Sequence, residues 1–292
     1  MSAKQFTRLV RFVSTDKKIY YGDAILPTGT TDARLAKEAF VITGNPLAEH
    51  TVTSQRAAIV RLLSPLDPAA VGTARFLGLN YRKHAEELGL PIPKYPVLFF
   101  KPRTALGGPN DSIVVPRIAQ VDNETDYECE LVAVIGKPAR DVPLEKALDY
   151  VVGYAVGNDV SQRAWQIKKS GGQWGLGKMY DGWAPFGPAI VSANVIRDPQ
   201  ALKISTTING KTVQSESTGD MIFSVAQAIS FLSQGSTLQP GDLIFTGTPS
   251  GVGSGRKPNL WLQDGDQVVV ELENVGTVSN TVIYEKGLLP KL

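Results

Sequence analysis

The chain has 292 residues, of which 42% are apolar and 20% charged, and a formal net charge of +2. That length accommodates one large domain or a large one with a small companion, and so small a charge offers no footing for nucleic acid or an anionic membrane. The single cysteine, Cys129, excludes an intramolecular disulfide and fits a reducing compartment. No apolar run approaches the length of a membrane span. Met1 to Ser14 lacks the apolar core of a signal peptide, so a cytoplasmic location is expected. A mitochondrial location stays open, and the terminal Pro290-Lys291-Leu292, one residue from the Ser-Lys-Leu peroxisomal address, keeps peroxisomal import as an alternative.

Residues 7–13 and 18–25 alternate as strands do. The Pro-marked stretch Leu63 to Pro68 reads as a linker. A small β-rich N-terminal domain over residues 1–70 is therefore expected, with the main domain over 71–292. Arg82 to Leu88 is a short helix closed by Gly89. Asp141 is placed to cap a helix with Pro143 in its first turn, running to about Tyr150. Residues 161–170 read as a further helix, stopped by Gly171-Gly172. Ser224 and Gln227 form a capping box for a helix ending near Gly235, with Val225, Ala228, Ile229 and Leu232 on its apolar face. Asn209-Gly210 marks a tight hairpin, and residues 268–272 and 281–284 are late strands. With no regular strand–helix alternation and no internal repeat, the pattern is an antiparallel-dominated α+β fold, richer in β than in α.

The most informative segment is Asp126-Tyr127-Glu128-Cys129-Glu130, which runs into the apolar Leu131 to Ile135. Alternation puts Glu128 and Glu130 on one strand face, roughly 6.6 Å apart along the chain, and Cys129 on the other as a packed thiol. Two like charges on a half-buried face repel, and burial adds to the cost. A divalent cation between them relieves both. Asp159 ends a second apolar run from Val151. Three carboxylates without a Cys/His cluster suit a hard ion such as Mg²⁺, Mn²⁺ or Ca²⁺, not zinc. The alternative is a surface strand with two solvated glutamates. His84 and Glu87 lie three apart on a helix and can bond, which suits proton abstraction; a solvated helix face is the competing reading. Lys178, among glycines and aromatics, suits a substrate carboxylate or a developing enolate, or is a plain loop lysine. The glycines after Phe245 lack the spacing of a phosphate or dinucleotide loop.

In order along the chain stand Leu79-Asn80-Tyr81 with His84-Ala85-Glu86-Glu87, Phe99-Phe100-Lys101-Pro102, Tyr127-Glu128-Cys129-Glu130-Leu131, Asn158 to Arg163, Gly177-Lys178 and Thr246-Gly247-Thr248-Pro249. As a set over residues 72–285 this resembles the fumarylacetoacetate hydrolase family. The resemblance implies a mixed β-roll fold with short peripheral helices, a homodimer, and a Mg²⁺ or Mn²⁺ site. By position it implies Glu128, Glu130 and Asp159 as metal ligands and His84 with Glu87 as a water-activating or proton-shuttling pair, usually on a mobile lid. Lys178 matches a lysine beside the metal, and Arg163, Gln166 and Thr248 match positions that hold substrate carboxylate or oxo groups. Arg163 to Gln166, Gly172 to Lys178 and Arg256-Lys257-Pro258 look closest to a branch that includes oxaloacetate keto–enol tautomerases. The segment Met179 to Pro185 departs from that branch, close to the expected pocket. The implied substrate is a small 2-oxo or β-dicarbonyl acid, undergoing tautomerisation or decarboxylation. Acylpyruvate-type C–C hydrolysis is the alternative, and a catalytically silent binding protein of the same fold the competing class.

Overall fold

The alternation in residues 8–58 produces four strands, β1 (Arg8–Val13), β2 (Ile19–Ile25), β3 (Glu38–Gly44) and β4 (His50–Ala58), each antiparallel to the one before. In the computed structural model, which describes residues 5–287, this meander joins the rest of the chain by backbone pairing. β1 pairs antiparallel with β10 (Ala184–Ser192). Between them in sequence lie β5 (Ala74–Gly78), β6 (Val97–Lys101), β7 (Ile113–Val115), β8 (Cys129–Ile135) and β9 (Val151–Asn158). After them come β11 (Lys203–Ile208), β12 (Lys211–Ser217), β13 (Leu243–Phe245), β14 (Gln267–Leu272) and β15 (Gly276–Tyr284). The large sheet runs β4-β3-β2-β1-β10-β9-β8-β13-β5-β6, and a five-stranded sheet runs β12-β11-β14-β15-β7. Antiparallel pairs dominate, and the helices are short, as the hydrophobic pattern predicts.

β8 is buried along its whole length, not half-buried as its alternation suggests, because both its faces are covered. Cys129, Leu131, Ala133 and Ile135 pack with Ile204, Val268 and Val270 of the small sheet. Val132 and Val134 pack with Phe76, Phe186 and Phe245, where the Phe76 and Phe245 rings stack at 4.1 Å. Glu128 and Glu130 therefore continue the second face past its apolar end. Gly157 stands opposite Glu130 in β9; a side chain there would run into the Phe245 ring.

The capping box holds in α2 (Val225–Leu232): Ser224 Oγ accepts from Gln227 N, and Gln227 Oε1 from Ser224 N. Asn209 and Gly210 both take positive φ, which suits the two-residue turn between β11 and β12. Two helix expectations change in kind. Residues Leu144–Tyr150 form a 3₁₀ helix entered at Pro143, while Asp141 instead accepts from Gly235 N–H at 2.7 Å. Residues 161–170 split into a two-residue ladder, in which Ser161–Gln162 pair with Thr125–Asp126, and a π-helical turn, Ala164–Lys168. Both changes come from long-range partners that local propensity does not contain. No helix among the described residues is long and apolar enough to cross a membrane. Pro290-Lys291-Leu292 lies outside the described residues.

Candidate active site

Register brings the carboxylates together. Cys129 pairs with Asn158 and Glu130 with Gly157, and Asp159 N–H donates to the Glu128 carbonyl at 2.9 Å. One carboxylate oxygen from each of Glu128, Glu130 and Asp159 lies within 4.8 Å of the others. All three residues are buried, so this is not a solvated strand face.

Three cations surround the cluster. Lys178 Nζ reaches Asp159 Oδ2 at 2.6 Å and Glu128 Oε2 at 3.0 Å. Arg163 bridges Glu128 Oε1 at 2.6 Å and Asp126 Oδ2 at 2.8 Å. Lys101 pairs with Asp159 Oδ1 at 2.5 Å and donates to the carbonyls of Trp183 and Val160. Burial pushes the Glu128 carboxyl up, but Lys178 and Arg163 outweigh it and hold it low in its range. Burial brings the Lys101 ammonium down to about 8 even though Asp159 opposes the shift. Glu130 has no such partner. Its one hydrogen bond among the described residues is from Gly247 N–H at 2.7 Å, and no Lys or Arg among them forms an ion pair with it, although Lys178 acts on it from a distance. Burial, then Asp159 and Glu128, push its carboxyl well above the usual range. Three cations thus serve Asp126, Glu128 and Asp159, and Glu130 is the carboxyl left without one. An all-oxygen donor set whose fourth carboxyl ionises only if a further cation arrives suits a hard divalent ion, and Glu128, Glu130 and Asp159 are the residues that would hold it.

The other predicted residues gather around the cluster. α1 (Arg82–Glu87) buries His84 and Ala85. His84 Nδ1 meets Glu87 Oε1 at 2.6 Å; because a carboxylate only accepts, Nδ1 carries the proton and Nε2 is left as the basic nitrogen. His84 also contributes to holding Glu128 down, which puts the imidazole within electrostatic reach of the carboxylates. Gln166, on the π turn, accepts from Arg163 Nη1 at 2.8 Å. Thr248 Oγ1 accepts from Gln214 Nε2 at 2.8 Å, and its hydroxyl lies against the Cys129 thiol. Gly247 takes φ +90° and approaches Asn80 closely enough that a Cβ would collide. Only a glycine can aim that N–H at Glu130.

Lys101 and Asp126 stand in the sequence motifs without an assigned role, and Gln214 stands in none. Lys101 closes an apolar run immediately before Pro102, an unusual place for a lysine. Asp126 stands in the same alternation as Glu128 and Glu130. Gln214 carries no local signal. The departure at Met179-Tyr180 directly follows Lys178. Met179 and Tyr180 line a surface depression with Thr104, Val114, Pro116 and Glu285, and Tyr180 packs edge-on against Trp183 at 4.7 Å. Cys129 is a packed core thiol, pushed up to about 12 chiefly by burial.

Residues 74–283 match the model of the fumarylacetoacetate hydrolase C-terminal domain. The chain is 47% identical over 231 residues to the fumarylacetoacetate hydrolase domain-containing protein 2 homolog of Dictyostelium discoideum, covering 76% of this chain and 74% of that protein. It is 45% identical over 207 residues to the mitochondrial oxaloacetate tautomerase fahd2 of Xenopus laevis. That match covers 71% of this chain and 64% of the frog protein, just under two thirds of its length. The crystal structure of 2-hydroxyhepta-2,4-diene-1,7-dioate isomerase from Mycobacterium marinum superposes with a TM-score of 0.81 at 35% identity, covering 96% of this chain and all of that one. Fumarylacetoacetate hydrolase from Exiguobacterium antarcticum gives 0.78 at 33% identity, covering 95% and 99%.

Proposed function

Because the chain belongs to the fumarylacetoacetate hydrolase family and is an enzyme, we propose that it is a Mg²⁺- or Mn²⁺-dependent oxaloacetate tautomerase. The observation that carries this reading is the buried trio of Glu128, Glu130 and Asp159 beside an imidazole whose tautomer is set by Glu87. The identity to named oxaloacetate tautomerases supports the choice of substrate.

Glu128, Glu130 and Asp159 would hold a divalent cation, which would supply Lewis acidity toward the 2-oxo acid. His84 Nε2 takes a proton from C3. The C–H electron pair becomes the C2–C3 double bond, the carbonyl pair moves to oxygen, and the proton is returned there to give the enol. Glu87 holds the imidazole in position and stabilises it while it is charged. Arg163 and Gln166, already bonded to each other, and Thr248 orient the substrate's carboxylate and oxo groups. Lys178 holds Glu128 and Asp159 in place, and Lys101 holds Asp159 from its other oxygen. Burial of all these groups strengthens each electrostatic interaction.

The test is the decay of enol-oxaloacetate absorbance with and without magnesium, run beside cleavage of acetylpyruvate. Magnesium-dependent decay well above the buffer rate, with slow acetylpyruvate cleavage, is expected. Rapid acetylpyruvate cleavage with untouched enol-oxaloacetate favours the C–C hydrolase, and no turnover of either favours the silent binding protein.

A further inference from the structure

Asp126 has no place in the scheme above, yet it is among the most completely engaged side chains near the site. It is fully buried. Its Oδ1 accepts from Tyr127 N–H at 2.8 Å and Gly253 N–H at 2.7 Å. Its Oδ2 accepts from Ser254 N–H at 3.0 Å and Arg163 Nε at 2.8 Å. It therefore ties the turn at residues 251–255 to Arg163, which itself pairs with Glu128.

The same turn holds the base from the other side. Glu87 is shared between two partners. Its Oε1 meets His84 Nδ1, and its Oε2 accepts Gly251 N–H at 2.8 Å. Gly251 takes φ +100°, and a Cβ there would strike the Val213 carbonyl. Gly255 closes against Glu87 so tightly that a Cβ would lie 2.8 Å from its carboxyl carbon. Tyr127 O–H and Arg256 Nε both donate to the Gly251 carbonyl, which fixes the peptide that faces Glu87. At its other end α1 is anchored separately: Asn80 bonds to Phe223 and to the Thr246 carbonyl.

A continuous chain of bonds thus runs from His84 through Glu87, the 251–255 turn and Asp126 to Arg163 and Glu128. We infer that Asp126 is a positioning residue that sets the His84 imidazole against the carboxylate cluster through this turn. The path's hydrogen bonds are made to charged groups, the stronger kind, and its last link is the Arg163–Glu128 ion pair. The inference rests on His84 being the base, but the geometry it describes can be tested without turnover.

The chain has two histidines, His84 and His50, so ¹⁵N-histidine labelling yields a spectrum of two rings. In the wild type, His84 should appear as a single fixed Nδ1–H tautomer with a strongly hydrogen-bonded, slowly exchanging ring proton. Asp126→Asn turns an amide N–H₂ toward donors, and Gly255→Ala, at ordinary φ, pushes on Glu87 while leaving Asp126 intact. Both variants should show a His84 ring in mixed tautomers with a fast-exchanging proton. Magnesium affinity by calorimetry should stay within about threefold, and kcat should fall at least tenfold with little change in KM. Gly255→Ala tests the link from the turn to Glu87, on which the inference depends, where Asp126→Asn does not fold. An unchanged His84 ring in Gly255→Ala overturns the inference. So does a folded Asp126→Asn that loses magnesium uptake with its His84 signature intact, since Asp126 would then serve the carboxylates and not the base. If wild-type protein fails to turn over enol-oxaloacetate, the functional reading falls while the ring spectra still decide this one.

Discussion

Glu130→Gln separates the cost of an unpaired buried carboxylate from the benefit of a bound cation. In the absence of metal, burial together with Asp159 and Glu128 pushes the Glu130 carboxyl well above its usual range, which favours its neutral form, and no lysine or arginine among the described residues forms an ion pair with it. A glutamine keeps a neutral side chain and the acceptor for Gly247 N–H. The metal-free variant should therefore match the wild type to within about 1 kcal/mol. Magnesium at 100 times its Kd should stabilise the wild type by about 2.7 kcal/mol. At about 2 °C per kcal/mol for a chain of this size, that is a rise in Tm of about 5 °C. The variant should lose this rise, with an affinity at least ~100-fold weaker, or ~2.8 kcal/mol. Thermal unfolding with EDTA and with magnesium, beside calorimetric titration, measures both. A variant that is less stable without metal, yet keeps the full magnesium shift, would refute the assignment of Glu130 as the uncompensated ligand.

His84→Ala should slow tautomerisation about 10²–10⁴-fold, the usual share of a positioned base, and leave magnesium-dependent CO₂ release from oxaloacetate within about tenfold; equal loss of both in parallel assays would assign His84 a role common to the two. Phe245→Ala removes a ring stacked on Phe76 and packed over Gly157, and should cost about 3–5 kcal/mol in denaturant unfolding; a loss below about 1 kcal/mol would mean that the two sheet faces are not closely packed there. Ser224→Ala should cost about 1 kcal/mol through the lost cap without changing kcat, and a change in kcat would tie α2 to the site. Cys129, buried with its thiol pushed up to about 12, should resist a thiol reagent at pH 8 and titrate fully in denaturant; rapid labelling of the native protein would contradict its packing.

The strands were legible because their periods are strong and the turn chemistry at Asn209-Gly210 and the cap at Ser224 are local. The carboxylate cluster was legible because alternation on β8 fixes which residues share a face. Its depth was not: β8 is covered on both sides by residues from Phe76 to Val270, and nothing between residues 126 and 136 announces them. Asp126 alternates with Glu128 and Glu130, but its two-residue ladder with Ser161–Gln162 turns it toward Arg163 and the 251–255 turn. Lys101 meets Asp159 across 58 residues of chain, and Gln214 reaches Thr248 through β12. These contacts depend on sheet order, which a single sequence does not encode locally. The same holds for residues 164–168, where Gly177 packs against the Gln166 backbone and the chain takes a π turn in place of a regular helix.

The most direct test of the account is a crystal grown with manganese and measured at the manganese absorption edge. One anomalous peak is predicted, with carboxylate oxygens of Glu128, Glu130 and Asp159 all at bonding distance and Arg163 withdrawn to Asp126 or a ligand. A peak elsewhere, or none while Lys101 and Lys178 keep the carboxylates paired, would contradict it.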